Sequence, residues 1–307
     1  MGYNFPGGSW PVMLTPFTAE NTVDYPALKE LVDWYIENGV SGMFSVCQSS
    51  EMFFLSLEER TEIARKTIEF AAGRVPVIAS GHISDDFEEQ VKELNAMADT
   101  GADAVILITN RLAKEEENDE VWMKNCQKLL ERINQDVALG FYECPYPYKR
   151  LLTPDTIKWC ADTGRFYFLK DTCCDMEQIQ KKLDVIQGTN LKLYNANTTT
   201  LLESLRAGAA GFCGVMDNFH PALYTWLCEN YEDERADGMA DFLTIASFIE
   251  RQYYPVNAKY HLAACEGLHF TTKCRTRDES GLTESFKKEV HMLDSMAKIK
   301  MDEIRRI

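Results

Sequence analysis

Lys170 directly follows an apolar run, Phe166-Tyr167-Phe168-Leu169, so its amine is attached to a segment that resists exposure. Partial desolvation favours a neutral amine, and a neutral amine attacks a ketone to form an imine. By position alone, a structural lysine paired with Asp171 is an equal alternative. Tyr142 ends another apolar run, Val137 to Tyr142, twenty-eight residues upstream. If the two runs are neighbouring parallel strands, about 5 Å apart, the phenol and the amine face the same reacting atom. A phenol there shuttles protons while a carbinolamine collapses and a carbon–carbon bond breaks, given a lowered pKa or a well-placed relay. The plainer alternative is a tyrosine that plugs a rim. A third group is Cys47-Gln48-Ser49-Ser50-Glu51, after the run Gly42 to Val46. Small hydroxyls and turn N–H groups make a cradle for a carboxylate, although serine clusters after strands also serve as turn and cap chemistry.

These residues need elements to hold them. Short apolar or β-branched runs recur at Pro11 to Leu14, Gly42 to Val46, Val75 to Ala79, Ala104 to Ile108, Val137 to Tyr142, Phe166 to Leu169, Leu191 to Tyr194 and Ala210 to Cys213. Amphipathic stretches separate them at a spacing of roughly 20 to 33 residues, the length of one strand plus one return helix. Eight such units joined by right-handed crossovers close into a (β/α)8 TIM barrel. Helix punctuation supports the count. Ser56 with Glu59 makes a capping box, Thr153-Pro154 a capped start, and Gly39, Gly73, Gly101, Gly164 and Gly208 fall where helices stop. Beyond about Pro221 the alternation ceases, and Phe242, Ile245, Phe248 and Ile249 recur at helical spacing. The expected organisation is a barrel over residues 1–225 and a C-terminal helical extension over 226–307 packed on it, closed by a long helix from Gly281 to Ile307. In a barrel of this kind catalytic groups sit at the C-terminal strand ends, which here are Thr15, Ser49, Ser50, His82, Thr109, Tyr142, Lys170, Asn195 and Gly214.

Composition narrows the partners. The 307 residues, 45% of them hydrophobic, suffice for one large core. With 32 basic against 48 acidic residues and a net charge of −16, the surface repels phosphate backbones and anionic lipids. No nucleic acid and no membrane partner is expected, and no apolar stretch approaches the ~20 residues of a membrane span. Ten cysteines are scattered through apolar segments, and the start MGYNFPGGSW has no charged leader. Reduced thiols in a cytoplasm and an unprocessed start are therefore expected. Cys173 and Cys174 are adjacent rather than spaced as ligands, so no metal is expected.

Leu14-Thr15-Pro16-Phe17, Ser50-Glu51, Leu55-Ser56-Leu57-Glu58-Glu59-Arg60, Tyr142-Glu143-Cys144-Pro145, Phe168-Leu169-Lys170-Asp171 and Gly208-Ala209-Ala210-Gly211 with Asn218 and Pro221 occur in this order. Their sequence resembles the pyruvate-dependent class I aldolases that include dihydrodipicolinate synthase and N-acetylneuraminate lyase, over most of the chain. The resemblance implies a lyase or aldolase acting on a 2-oxo acid and an aldehyde. It implies a Schiff base on Lys170, Tyr142 as general acid/base, a carboxylate site at Gln48 and Ser49, a backbone contribution near Cys213, no cofactor beyond the covalent lysine imine, and a homotetramer.

Departures from the family pattern fall in the acceptor half. The second-strand loop carries Gln48 where relatives have a hydroxyl, and a glutamine donates to a carboxylate but cannot relay a proton. Thr109-Asn110-Arg111 replaces a Pro-Tyr-Tyr motif, and Pro147 stands near the position of an acceptor-binding arginine, for which Arg111, Lys149 or Arg150 are the substitutes in reach. Thr198-Thr199 replaces an acidic pair that binds sugar hydroxyls. The loop Tyr146-Pro147-Tyr148-Lys149-Arg150 is expected either to shape an acceptor pocket or to pack between subunits. His82 ends a strand and is expected as a rim histidine bonded to a neighbouring loop, with contact to substrate as the alternative, and Asp217 either polarises substrate or caps the eighth helix. Dihydrodipicolinate synthase proper, a dehydratase of sugar-derived 2-oxo acids and a non-catalytic 2-oxo acid-binding barrel stand as alternatives.

Overall fold

The computed structural model describes Tyr3 and residues 5–305. Eight short strands form one sheet: β1 (Gly8–Ser9), β2 (Met43–Phe44), β3 (Val77–Ala79), β4 (Ala104–Ile108), β5 (Ala138–Tyr142), β6 (Phe166–Asp171), β7 (Lys192–Asn195) and β8 (Gly211–Phe212). Every pairing is parallel, in the order β1-β8-β7-β6-β5-β4-β3-β2. Val12 bridges Phe44 in parallel and brings the first segment against the last edge, so the ring closes as a (β/α)8 barrel.

The first strand differs from the expected Pro11 to Leu14. Paired backbone begins earlier, at Gly8, and the segment then changes partner. Trp10 N–H donates to Phe212 O at 2.9 Å, whereas Pro11 O accepts from Phe44 N–H and Met13 N–H donates to Phe44 O, both at 3.0 Å. Pro11 has no N–H to continue a ladder, and it falls where the chain passes from one neighbour to the other.

Between the strands run α1 (Tyr25–Glu37), α2 (Leu57–Ala71), α3 (Phe87–Ala98), α4 (Asp119–Leu130), α5 (Pro154–Asp162), α6 (Met176–Ile186), α7 (Leu201–Arg206) and α8 (Pro221–Glu229). The expected caps form. Ser56 Oγ accepts from Glu59 N–H while Glu59 returns a carboxylate oxygen to Ser56 N–H, and Thr153 accepts from Thr156 N–H. The five punctuating glycines adopt φ between +67° and +104°, which side chains resist. Four helices follow, α9 (Ala236–Ala246), α10 (Glu250–Tyr253), α11 (Val256–Ala264) and α12 (Glu284–Arg305). The closing helix thus begins three residues after Gly281, which lies in a 3-10 turn, and Ile307 lies outside the described residues. Lys259 of α11 reaches Glu51 at 2.8 Å, both buried, and ties this extension to the loop after β2.

Candidate active site

Side chains alternate faces along a strand, so Phe168 and Lys170 point one way and Leu169 and Asp171 the other. Phe168 stacks on Tyr194 at 4.0 Å with Trp10 edge-on at 5.1 Å, which places this face inside the barrel. Lys170 stands above that aromatic floor, 4% exposed. Asp171 faces outward, where Lys182 of α6 donates to it at 2.5 Å and to Glu143 at 2.6 Å. The alternative pairing of Lys170 with Asp171 therefore does not occur. Lys182 has taken the carboxylate.

Tyr142 is the register partner of Lys170 on β5. The lysine Nζ lies 4.3 Å from the Tyr142 ring centroid and 5.9 Å from that of Phe44. Burial, followed by the nearby Cys144 and Cys47, pushes the Tyr142 phenol well above its ordinary range, so a lowered pKa is not what equips it. Tyr142 keeps its proton and acts as a donor. That donor is aimed at Gln48 Oε1, 3.3 Å away, which Cys144 Sγ also approaches at 3.4 Å.

The loop after β2 is braced from three sides. Ser50 Oγ accepts from Cys47 N–H at 3.1 Å and donates to Met13 O at 2.7 Å and to Ser45 O, while Thr15 donates to Ser50 O at 2.8 Å. Ser50 is thereby a fully engaged scaffold residue rather than a free hydroxyl. Burial pushes the phenol of Tyr254 well above its ordinary range, and the neighbouring Ser49 opposes that rise. Glu51, in the left-handed region at φ 62°, accepts from Lys259 Nζ and from the N–H groups of Arg275 and Thr276 at 2.6 and 2.8 Å. Cys213 directly follows β8, buried, with its N–H paired to Asn195 O at 2.9 Å and its thiol pushed up to about 12 by burial against the opposing pull of Lys170.

Lys170 and Tyr142 open into a cavity of about 370 Å³ that Lys149, Asn197, Glu250, Arg251 and Tyr254 also line. The last three come from the C-terminal extension, and sequence reading missed them. They have no motif or regular spacing to betray them, because α10 reaches the barrel mouth only through tertiary packing. Tyr254 receives a hydrogen bond from Asn218 Nδ2 at 3.2 Å, which fixes it against the eighth strand end.

Of the three substitutes for an acceptor-binding arginine, only Lys149 reaches this cavity. Arg111 pairs with Asp85, and Arg150 with Asp119 at 2.9 Å and the carbonyls of Lys114 and Glu117. The aromatic loop is likewise only partly at the mouth. Tyr148 donates to Asn110 O at 2.8 Å, and Tyr146 is 53% exposed against Phe53. A larger cleft of about 900 Å³, lined by Asp85, Arg111, Lys114 and Tyr148, lies beside this loop and holds neither Lys170 nor Tyr142.

His82 is buried, with Nδ1 accepting from Ile108 N–H at 3.1 Å and Nε2 against Gln90 Oε1 at 2.8 Å. Burial lowers it to about 4, so it is a neutral brace between β4 and α3 rather than a group at the mouth. Asp217 does not cap the eighth helix. It is buried inside, takes Ser9 Oγ at 2.8 Å on one oxygen, and burial holds its carboxyl well above the usual range.

An inward lysine beside a protonated phenol, at the C-terminal mouth of a (β/α)8 barrel, is equipped for imine chemistry on a carbonyl substrate. The chain belongs to the dihydrodipicolinate synthetase family, whose model matches residues 5–293. It is 30% identical over 228 residues to the 4-hydroxy-tetrahydrodipicolinate synthase of Methanococcus aeolicus, covering 74% of this chain and 76% of that one. The enzyme of the same name from Pseudoalteromonas atlantica is 28% identical over 222 residues, 72% of this chain and 74% of that one. Among solved structures, a dihydrodipicolinate synthase superposes with a TM-score of 0.80 at 26% identity, covering 94% and 97% of the two chains. The enzyme from Acinetobacter baumannii, complexed with pyruvate, matches in fold with a TM-score of 0.84 at 24% identity over 95% and 99%. The reaction class of the family is that of a pyruvate-dependent Schiff-base lyase.

Proposed function

We propose that the protein forms a Schiff base between Lys170 and pyruvate or a related 2-oxo acid, and cleaves or makes a carbon–carbon bond to an aldehyde. The observation that carries this reading is the inward Lys170 Nζ held 4.3 Å from the centroid of the Tyr142 ring, its β5 register partner. The amine adds to the 2-oxo carbonyl, the carbonyl oxygen takes up protons, and water leaves as the imine forms. Tyr142, kept protonated by burial, supplies a proton to that oxygen. In cleavage the phenolate so formed takes the proton of the substrate hydroxyl as the carbon–carbon bond breaks, and in condensation the phenol protonates the alkoxide formed from the aldehyde carbonyl. The 2-oxo acid's carboxylate rests at Gln48 and Ser49, beside the Cys213 end of β8, on a loop held by Ser50. No cofactor is required beyond the lysine. In this reading residues 1–225 carry the reacting groups, and 226–307 contribute Glu250, Arg251 and Tyr254 to the mouth.

The acceptor half differs from that of a dihydrodipicolinate synthase. Thr109 Oγ donates to Arg150 O at 2.6 Å, and Asn110 Nδ2 binds the carbonyls of Cys144, Tyr146 and Tyr148, so both are spent bracing the loop. Lys149 and Arg251 at the mouth suit an aldehyde with an anionic group of its own. The names of the relatives favour the synthase itself as the second reading. A homotetramer in a reducing cytoplasm accords with the family and with cysteines that are all unpaired thiols. Light scattering on the purified chain measures the assembly.

Borohydride reduction in the presence of pyruvate, followed by peptide mass spectrometry, tests the central step. A pyruvyl adduct on Lys170 that disappears in Lys170→Ala is the expected result, and no adduct at saturating pyruvate overturns it. Turnover assays with anionic and neutral aldehydes, including formation of 4-hydroxy-tetrahydrodipicolinate, then separate the readings. An adduct with no turnover of any aldehyde would make the protein a 2-oxo acid-binding barrel instead.

A further inference from the structure

A second group of chemically active side chains lies away from the barrel mouth, where α11 meets α12. His261 sits on α11 and Cys265 four residues later at its end, so both project from one helix face. On α12, His291 and Asp294 are three apart and face them. One ligand atom from each of His261, Cys265 and Asp294 falls within 4.8 Å of the others. His261 Nε2 lies 3.7 Å from Asp294 Oδ1, and Cys265 Sγ lies 3.4 Å from His291 Nδ1. Zinc bonds of about 2.0–2.3 Å in a tetrahedron put donor atoms roughly 3.3–3.8 Å apart, so the His261–Asp294 pair already stands at ligand–ligand separation.

A second observation points the same way. His261 is fully buried, yet neither ring nitrogen has a hydrogen-bond partner. A buried imidazole with both nitrogens unmatched is costly unless something occupies one of them. The surrounding contacts orient the donors. Tyr260 Oη engages His291 Nε2 at 3.0 Å and turns Nδ1 towards Cys265, which fixes the orientation of the thiol. Lys298 takes Asp294 Oδ2 at 2.8 Å and leaves Oδ1 for the site. Glu266 Oε1 lies 3.9 Å from His261 Nε2 and adds negative charge, while Trp34 donates to its other oxygen at 3.0 Å.

We propose that His261, Cys265 and Asp294 bind a divalent cation of the zinc class, with His291 held beside Cys265, and thereby clamp α12 to α11. The N, S and O donor set favours a borderline-soft ion over calcium or magnesium, which take oxygen ligands. Binding exchanges the Cys265 thiol proton, released to solvent, for a sulfur–metal bond. The site is structural, and the imine chemistry at Lys170 does not pass through it.

Cobalt(II) is the probe. Adding it to chelator-treated full-length protein should produce a near-ultraviolet thiolate-to-cobalt charge-transfer band that saturates at one ion per chain and is displaced by zinc(II). The band should vanish in Cys265→Ser and persist in Cys174→Ser, whose cysteine is exposed elsewhere. Asp294→Asn should bind cobalt at least tenfold more weakly while pyruvate trapping on Lys170 stays unchanged, which shows that the variant is folded. Absence of the band, its survival in Cys265→Ser, or unaltered affinity in Asp294→Asn overturns the assignment. In the first case the cluster is an ordinary thiol and ion-pair network.

Discussion

In the proposed reaction Tyr142 and Lys170 work as a pair, one an acid at rest and the other an amine within reach of the same substrate atom. Since burial keeps the Tyr142 proton on the phenol, Tyr142→Phe removes a donor without opening a cavity. Steady-state assays should show kcat reduced by about 10²–10⁴-fold, while borohydride still traps pyruvate on Lys170. Loss of trapping in that variant would instead give Tyr142 a part in positioning the amine. Glu143 belongs to a different circuit. With Asp171 and Lys182 it forms a buried ion triad that locks β5 and β6 to α6, and burial pushes Glu143 up to about 7. Asp171 follows Lys170 and Glu143 follows Tyr142 in sequence, yet both carboxylates face away from that pair, towards Lys182.

At the scale of elements, the register between β5 and β6 is what brings phenol and amine together. That register shifts between Leu139 and Gly140, an irregularity of the bulge kind, before settling into Tyr142 opposite Lys170. Gly140 is needed at the crossing, because a Cβ there would lie 2.5 Å from Ile106 Cδ1 and 2.7 Å from Phe168 O. Gly140→Ala should lower stability by about 1–3 kcal/mol, the usual penalty of overpacking, and should lower kcat as the strands part. Thermal melts and the turnover assay on the same sample check both effects. A variant with full activity and an unchanged melting temperature would mean that β5 and β6 relax freely at this point.

Across the whole molecule, the barrel is held by polar braces as well as by its apolar core. His82 joins β4 to α3 in neutral form, lowered from its ordinary 6.5 to about 4 by burial. A group with a depressed folded pKa binds its proton more readily when unfolded, so its contribution is present above pH 6.5 and is lost as pH falls towards 4. Urea unfolding across this window should show stability declining with acid, with His82 accounting for on the order of 2–3 kcal/mol of the decline. His82→Gln should flatten the slope. An equal slope in both proteins would assign the acid sensitivity to other groups. The Glu51–Lys259 pair acts over a longer range, since it couples the loop that presents Gln48 and Ser49 to a helix about two hundred residues further on.

Sequence alone determined the barrel, most of its strands and the helix caps, and placed Tyr142 and Lys170 at the ends of neighbouring strands. These follow from local rules: side-chain periodicity and capping chemistry. The departure at Pro11 was legible only as an apolar run, because which neighbour a strand pairs with is not encoded in its own residues. Tertiary structure alone decided that Lys182 rather than Lys170 takes Asp171, that Arg111 and Arg150 are committed away from the mouth, and that Glu250, Arg251 and Tyr254 enter it. Each of those outcomes depends on contacts between segments far apart in the chain, where a side chain's partner is set by the packing of whole helices and not by its neighbours in sequence.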